Sequence, residues 1–204
     1  MTLNGGQFDV DAGGTVMINR DTSAWKAWNV NGTKVTLRGS VKMPGGTTFT
    51  GTCPTLLGDN TSLTLDSGSL ETDALSFGHN CNVLFTANGG RLYTQLTGNG
   101  ISMGGSGNYT YLNNLTLLTG TITNDSRFIA GYANTWGGEA HTAGAGVGGI
   151  ATVNLSGGTF IQRGYTAIGN GRIGTVAVSG TVFRAANDFY IGGGDYLGAV
   201  VPNA

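Results

Sequence analysis

The only two cysteines of the chain, Cys53 and Cys81, lie at similar distances behind a repeated glycine-containing phrase. Cys53 follows Gly39 by 14 residues, and Cys81 follows Gly68 by 13. If each phrase marks one turn of a stacked repeat, the two cysteines share nearly the same phase and lie about 5 Å apart. That separation permits a disulfide, which would suit an oxidising, extracellular setting. A second interpretation stays open, in which two buried free thiols occupy one stack.

The two histidines could serve hydrolytic chemistry only with suitable acidic partners. The stretch FGHN (77–80) faintly resembles the Gly-His-Gly of β-helical polygalacturonases, enzymes that also need clustered carboxylates. This sequence has no Asp-Asp pair and no nearby Arg-x-Lys, which favours a surface turn for His79. His141 stands beside Glu139 in a Gly/Ala-rich stretch, where a solvated loop charge is expected. We therefore predict no catalytic residue and no enzymatic activity.

One stretch near the C-terminus contains half of a calcium-binding turn. GGGDYLG (192–198) matches part of the Gly-Gly-x-Gly-x-Asp pattern, whose sites stack several Asp turns around the ion. The preceding repeat has Arg172 where a second Asp would be needed. We predict no metal and no cofactor.

Aromatic side chains are the remaining candidates for recognition, because an exposed ring can stack on a sugar or a partner protein. Trp25 and Trp28 lie three residues apart, and Tyr109 and Tyr111 share one face of a predicted strand. Trp136 lies in an irregular segment. For the tryptophan pair the alternative is a structural plug near the N-terminal end of the fold.

A repeated phrase accounts for most of the chain. Its pattern is apolar-x-Gly-x-apolar, with anchors at Gly6, Gly39, Gly68, Gly90, Gly120, Gly158 and Gly180, spaced 33, 29, 22, 30, 38 and 22 residues apart. Around these glycines, short segments such as SLTLDSG (62–68) alternate apolar and polar residues, as strands with one buried face do. A unit this short cannot bury its apolar face alone, so successive units must stack.

Stacked turn-and-strand units predict an all-β fold, a parallel β-solenoid (β-helix) of about seven coils and about 30–35 Å long. A β-sandwich or antiparallel barrel is the rival, although such folds rarely repeat one phrase at a near-constant period. We predict a single domain over residues 1–204. The irregular Gly/Ala-rich segment 132–149 interrupts the period and predicts a loop insert on one flank, where recognition often resides.

The C-terminal third resembles a known repeat family. GIATVNLSGGTFIQRGYTAIGNGRIGTVAVSGTVFRAANDFYIGGG (149–194) is similar to the Gly-rich repeats of bacterial autotransporter passengers and of surface proteins that carry a PEP-CTERM sorting signal. The resemblance implies a right-handed β-helix and a secreted, surface-associated role. The motif describes coils, so it carries no catalytic residue to this chain.

The composition of the chain limits the classes of partner that it can bind. The chain has 10 basic and 11 acidic residues without a Lys/Arg cluster, which argues against nucleic acid, and no apolar run long enough to span a bilayer. We predict a structural, non-enzymatic protein of the bacterial cell surface that stacks head to tail with itself into a layer, stalk or fibre, with adhesion to glycans or surface proteins as a further role. The alternative is a polysaccharide-binding or polysaccharide-degrading β-helix.

Overall fold

The computed structural model describes residues 1–18, 28–43, 54–95, 100–106, 111–134, 149–169 and 173–191, and every regular element in these ranges is a β-strand. Strands form because the chain consists of short segments in which apolar and polar residues alternate, bounded by Gly, Asn and Ser. Such segments bury one face and turn at each end.

The strands form three parallel sheets, which we name A, B and C. Sheet A contains β1 (Thr2–Asn4), β4 (Trp28–Asn31), β7 (Thr55–Leu57), β10 (Leu75–Phe77), β13 (Ile101–Ser106), β16 (Phe128–Asn134), β19 (Thr166–Ile168) and β22 (Phe189–Ile191). Sheet B contains β2 (Gln7–Val10), β5 (Lys34–Leu37), β8 (Ser62–Leu65), β11 (Asn82–Phe85), β14 (Tyr111–Leu117), β17 (Gly149–Leu155) and β20 (Ile173–Val178). Sheet C contains β3 (Thr15–Met17), β6 (Ser40–Lys42), β9 (Ser69–Thr72), β12 (Arg91–Thr94), β15 (Thr121–Asn124), β18 (Thr159–Gln162) and β21 (Val182–Ala185).

Consecutive strands enter sheets A, B and C in turn, and each pairs with the strand three places later in the chain. The described residues therefore build seven three-stranded coils and the first strand of an eighth. This arrangement confirms the predicted β-solenoid of about seven coils and excludes the sandwich and barrel, whose sheets are antiparallel. Right-handedness stays a prediction from the family resemblance.

The core lies between the three sheets and is built from columns of stacked apolar side chains. In sheet B every second residue points inward, so Val35, Leu63, Val83, Leu115 and Val153 form one continuous buried column. Each fully buried Val, Leu or Phe contributes roughly 1.5–3 kcal/mol relative to an exposed one. The period-two pattern thus explains why the coils stack in a single register.

The repeated glycines mark the corner between sheets B and C. A Cβ atom on Gly68 would lie 2.3 Å from the carbonyl oxygen of Leu37, and one on Gly158 would lie 2.4 Å from that of Gly120. At these two glycines a side chain would collide with the backbone of the preceding coil.

Two of the seven predicted anchors were misplaced. In the first coil the equivalent corner residue is Gly14, because Thr15 pairs with Ser40, whereas Gly6 lies between β1 and β2. In the seventh coil the equivalent residue is Thr181, one position after Gly180, because Val182 pairs with Thr159. The first error arises because the corner between β1 and β2 also contains glycine. Gly180 does lie in the corner between sheets B and C, but one position before the equivalent residue.

The predicted bounds of the insert, 132–149, overlap the two neighbouring strands. Residues 132–134 continue β16, and residue 149 begins β17. Residues 135–148, which include Trp136, lie outside the described residues.

Candidate functional site

Cys81 precedes β11 and lies in a column of small polar residues at the corner between sheets A and B. The register places Thr61 in the preceding coil and Asn113 in the following one. Cys53 lies outside the described residues. The residue of the preceding coil that stacks on Cys81 is Thr61, which follows Cys53 by eight residues in the chain. The equal phase on which the disulfide prediction depended is therefore wrong, and Cys81 is a free thiol in this structure. The count from glycine anchors failed because coil lengths differ.

The Cys81 thiol donates a hydrogen bond to a backbone carbonyl at this corner, as the Thr61 hydroxyl does in the preceding coil. Its Sγ donates to the carbonyl oxygen of Gly58 at 3.0 Å, while Thr61 Oγ1 donates to that of Val30 at 3.0 Å in the preceding coil. Burial raises the pKa of the Cys81 thiol to about 11. A thiol with such a pKa stays protonated and is a poor nucleophile.

Asp59 and His79 form a hydrogen-bonded pair on the outside of the same corner. His79 Nδ1 donates to Asp59 Oδ1 at 2.7 Å, and the His79 backbone N–H donates to the same oxygen at 3.0 Å. Partial burial opposes ionisation of Asp59, but the backbone and ring hydrogen bonds of His79 outweigh it and lower the Asp59 pKa. The Asp59 side chain is 57% exposed and that of His79 19%.

This pair orients an imidazole as a catalytic dyad does, but the nearest thiol cannot complete it. The Cys81 Sγ points to carbonyl oxygens inside the corner and has a raised pKa. Within the described ranges no group of three or more His, Cys, Asp or Glu is placed to hold a metal ion. The Asp59–His79 pair joins two successive coils at this corner through two hydrogen bonds.

Trp28 is completely buried, so it cannot belong to an exposed recognition surface as predicted. It begins β4 in the second coil, and its ring meets that of Phe8 edge-on with centroids 6.0 Å apart. The ring thus fills the core one coil inside the N-terminal end. Trp25 and Tyr109 lie outside the described residues, and Tyr111 is described only as the first residue of β14.

A buried polar column runs along the corner between sheets C and A. Thr94 Oγ1 donates to Asn124 Oδ1, and Asn124 Nδ2 donates to Gln162 Oε1 at 2.7 Å. The same amides cap backbone carbonyls, since Gln162 Nε2 donates to the oxygen of Ser126 at 2.6 Å. Full satisfaction of these groups explains how polar side chains occupy a solenoid interior.

Outside this corner, side chains from three successive coils form a Tyr-Asp-Arg network. Tyr93 Oη donates to Asp125 Oδ2 at 2.8 Å, and Arg163 Nη1 donates to Asp125 Oδ1 at 2.8 Å. The Asp125 side chain is 8% exposed, whereas that of Arg163 is 57% exposed. The hydrogen bond to Asp125 is the main cause that raises the pKa of Tyr93, so the phenol remains a donor.

A second pair of contacts extends the network towards sheet A. The Arg127 guanidinium lies 5.4 Å from the centroid of the Tyr165 ring, a cation–π arrangement. Tyr165 in turn meets Tyr190 of β22 edge-on, with centroids 6.4 Å apart. We call Tyr93, Asp125, Arg127, Arg163, Tyr165 and Tyr190 the Tyr–Arg patch.

The outward faces of the sheets differ in charge. From β8 to β20 the alternating outward positions of sheet B are uncharged: Ser62, Thr64, Asn82, Leu84, Leu112, Asn114, Thr116, Ile150, Thr152, Asn154, Ile173, Thr175 and Ala177. Sheet C instead presents Lys42, Glu71, Arg91 and Arg184. Charge is therefore concentrated on sheet C and on the adjoining Tyr–Arg patch.

Sequence reasoning missed both the Asp59–His79 pair and the Tyr–Arg patch. LGDN (57–60) and FGHN (77–80) are matching phrases 20 residues apart, so aligning them would have revealed the first. The Tyr93, Asp125 and Arg163 positions are 32 and 38 residues apart. No fixed period connects those three residues, because coil length varies.

The comparisons with known proteins returned nothing: no family model, no curated protein and no solved structure matches the chain. In the described ranges no helix has the length and hydropathy required to cross a membrane.

Proposed function

We propose that this chain is a non-enzymatic structural protein, a β-solenoid building block that stacks head to tail into a bacterial surface layer, stalk or fibre. The observation that carries the proposal is the exposed apolar edge of the last described coil. Ile191 of β22 continues an inward column of sheet A, yet its side chain is 73% exposed. Phe189 in the same strand is also exposed, and so is Val178, which stands at an inward position of β20.

The first coil offers a matching edge. Among the strands of the described ranges, β1, β2 and β3 each have a partner on one side only, and Leu3, Phe8 and Val16 are partly exposed there. A strand edge with free backbone groups is a template for another chain. Because sheet A begins with β1 and its last described strand is β22, a second copy can extend its parallel ladder by pairing β1 on β22.

The extracellular, bacterial setting is supported by the repeat resemblance in 149–194. The low content of charged residues, 10% of the chain, accords with a rod whose contacts are made by hydroxyl, amide and apolar groups.

Negative-stain microscopy and sedimentation velocity over a range of protein concentrations test this proposal. We expect rods that lengthen with concentration, and we expect Ile191→Lys to shorten them because it places a charge at the joint. Leu112→Lys is the matched control, since Leu112 is 54% exposed on the outward face of sheet B, away from both ends. Monodisperse monomers of the unmodified chain at high concentration would contradict head-to-tail stacking.

A further inference from the structure

We propose that the Tyr–Arg patch binds an acidic polysaccharide, with the carboxylate of a uronic acid on Arg163 and sugar rings against the tyrosines. This role concerns the side of the solenoid. It does not depend on the proposed end-to-end assembly and can be measured on single molecules.

Arg163 has the donors that a carboxylate requires. Its guanidinium is anchored by one hydrogen bond to Asp125 and is 57% exposed. Towards the described residues it uses one of its five N–H groups. The planar fork of arginine matches a carboxylate in a bidentate arrangement. Because Tyr93 and Arg163 satisfy the buried Asp125, this carboxylate acts as an anchor for the arginine.

The charges around Arg163 favour an anion. Arg127 lies in the coil before Arg163, and Arg184 lies in the coil after it on the outward face of sheet C. The carboxylates on this side are Asp125, Asp188, which accepts a hydrogen bond from Tyr190 Oη at 3.2 Å, and Glu71, which lies beside Tyr93 in sheet C. Asp125 is buried, and Glu71 lies three coils before Arg163, so the three arginines outweigh the exposed carboxylate at the Arg163 end of the patch.

The tyrosines indicate a sugar as the ligand. Tyr165 lies at the corner between sheets C and A, and Tyr190 lies one coil further in sheet A, where the two rings meet edge-on. Tyr93 lies on the outward face of sheet C, so the tyrosines surround Arg163 across this corner. Aromatic rings offer apolar faces next to polar hydroxyls, the combination that a pyranose ring and its hydroxyl groups require.

Isothermal titration calorimetry with a galacturonate hexasaccharide tests the site. We expect binding to the unmodified chain and a loss of about tenfold or more in affinity for Arg163→Gln, since hydrogen bonds between charged groups are among the stronger ones. Arg184→Gln, at an exposed position outside the Asp125 network, should also weaken binding. Arg163→Lys keeps the positive charge beside Asp125. It should nevertheless bind more weakly than the unmodified chain, because an ammonium group cannot form the bidentate hydrogen bonds of a planar guanidinium.

Lys34→Gln provides the matched control, because Lys34 is exposed on sheet B and its removal changes the net charge equally. Its affinity for the hexasaccharide should be unchanged. Three results would each overturn the inference: no binding of the hexasaccharide, equal loss in Lys34→Gln and Arg184→Gln, or binding of poly-glutamate as tight as that of the hexasaccharide. A thermal melt of each variant verifies that the solenoid remains folded.

Discussion

At the scale of single residues, the corner between sheets A and B explains why a cysteine can stand where neighbouring coils have threonine. Thr33, Thr61 and Cys81 each precede a strand of sheet B and each donates to a corner carbonyl. The thiol is thus a structural donor whose ionisation would remove a hydrogen bond and leave a buried charge.

We predict that Cys81 does not react with Ellman's reagent at pH 8 in the native protein, because its pKa is raised to about 11 by burial. The measurement uses a Cys53→Ser background, so that Cys81 is the only thiol. Denaturant should release one full equivalent of reactivity. Thr64→Cys in the same background is the control, since Thr64 lies on the outward face of sheet B and its cysteine should react at once. Rapid native labelling of Cys81 would show that the corner is open.

The histidine and tryptophan predictions had different outcomes for a physical reason. His79 does lie at a turn, as its surroundings of Gly78 and Asn80 indicated, but its partner Asp59 comes from the preceding coil. Trp28 begins a strand whose alternation buries it, a fact that the spacing to Trp25 could not reveal. The residue types around His79 were enough to predict the turn. The residues that His79 and Trp28 contact depend on the register between coils, which the local sequence does not reveal.

At the scale of elements, the column of corner glycines fixes how closely coils approach. Gly158 has φ of 75°, and a Cβ there would lie 2.4 Å from the Gly120 carbonyl oxygen. Gly13 has φ of 82°, but a Cβ there would meet nothing within 4 Å. Both positions require a positive φ, but only at Gly158 would a Cβ atom collide with the neighbouring coil.

We therefore predict that Gly158→Ala costs about 2–5 kcal/mol of unfolding free energy, the sum of left-handed strain and a backbone clash. Gly13→Ala should cost only about 1–2 kcal/mol, since strain alone applies. Urea unfolding monitored by circular dichroism measures both values. Equal losses in the two variants would mean that the corner tolerates a side chain and that close stacking is not what selects glycine.

Sequence reasoning succeeded for elements wherever the alternation was regular. The stretch SLTLDSG correctly predicted an inward Leu63 and Leu65 followed by a corner at Gly68. It failed where a coil has a second glycine turn, as at Gly6, because local composition does not distinguish one corner from another. The buried Asn124–Gln162 contact was equally invisible, since both amides would suit a surface turn by type alone.

At the scale of the whole molecule, the fold separates a repeated interior from two distinct outer features. The interior columns require only that each coil match its neighbours, so the same rule can continue beyond one chain at the exposed β22 edge. The Tyr–Arg patch lies on the side of the solenoid, and its Tyr190 belongs to the β22 edge. From these two features together we propose a surface fibre that presents one glycan site per subunit.

The most direct test of head-to-tail stacking is a disulfide across the joint. Thr2 of β1 and Tyr190 of β22 belong to the same outward column of sheet A, so pairing β1 on β22 brings their Cα atoms about 5 Å apart. Thr2→Cys and Tyr190→Cys chains, each carrying Cys53→Ser and Cys81→Ala, are mixed and oxidised. Head-to-tail stacking predicts a covalent dimer of one chain of each kind. Ser76→Cys replaces Tyr190→Cys as the control, because Ser76 shares the column in β10, which is already paired on both edges. Head-to-tail stacking would be contradicted if Tyr190→Cys gave no covalent dimer, or if Ser76→Cys gave the same yield of dimer as Tyr190→Cys.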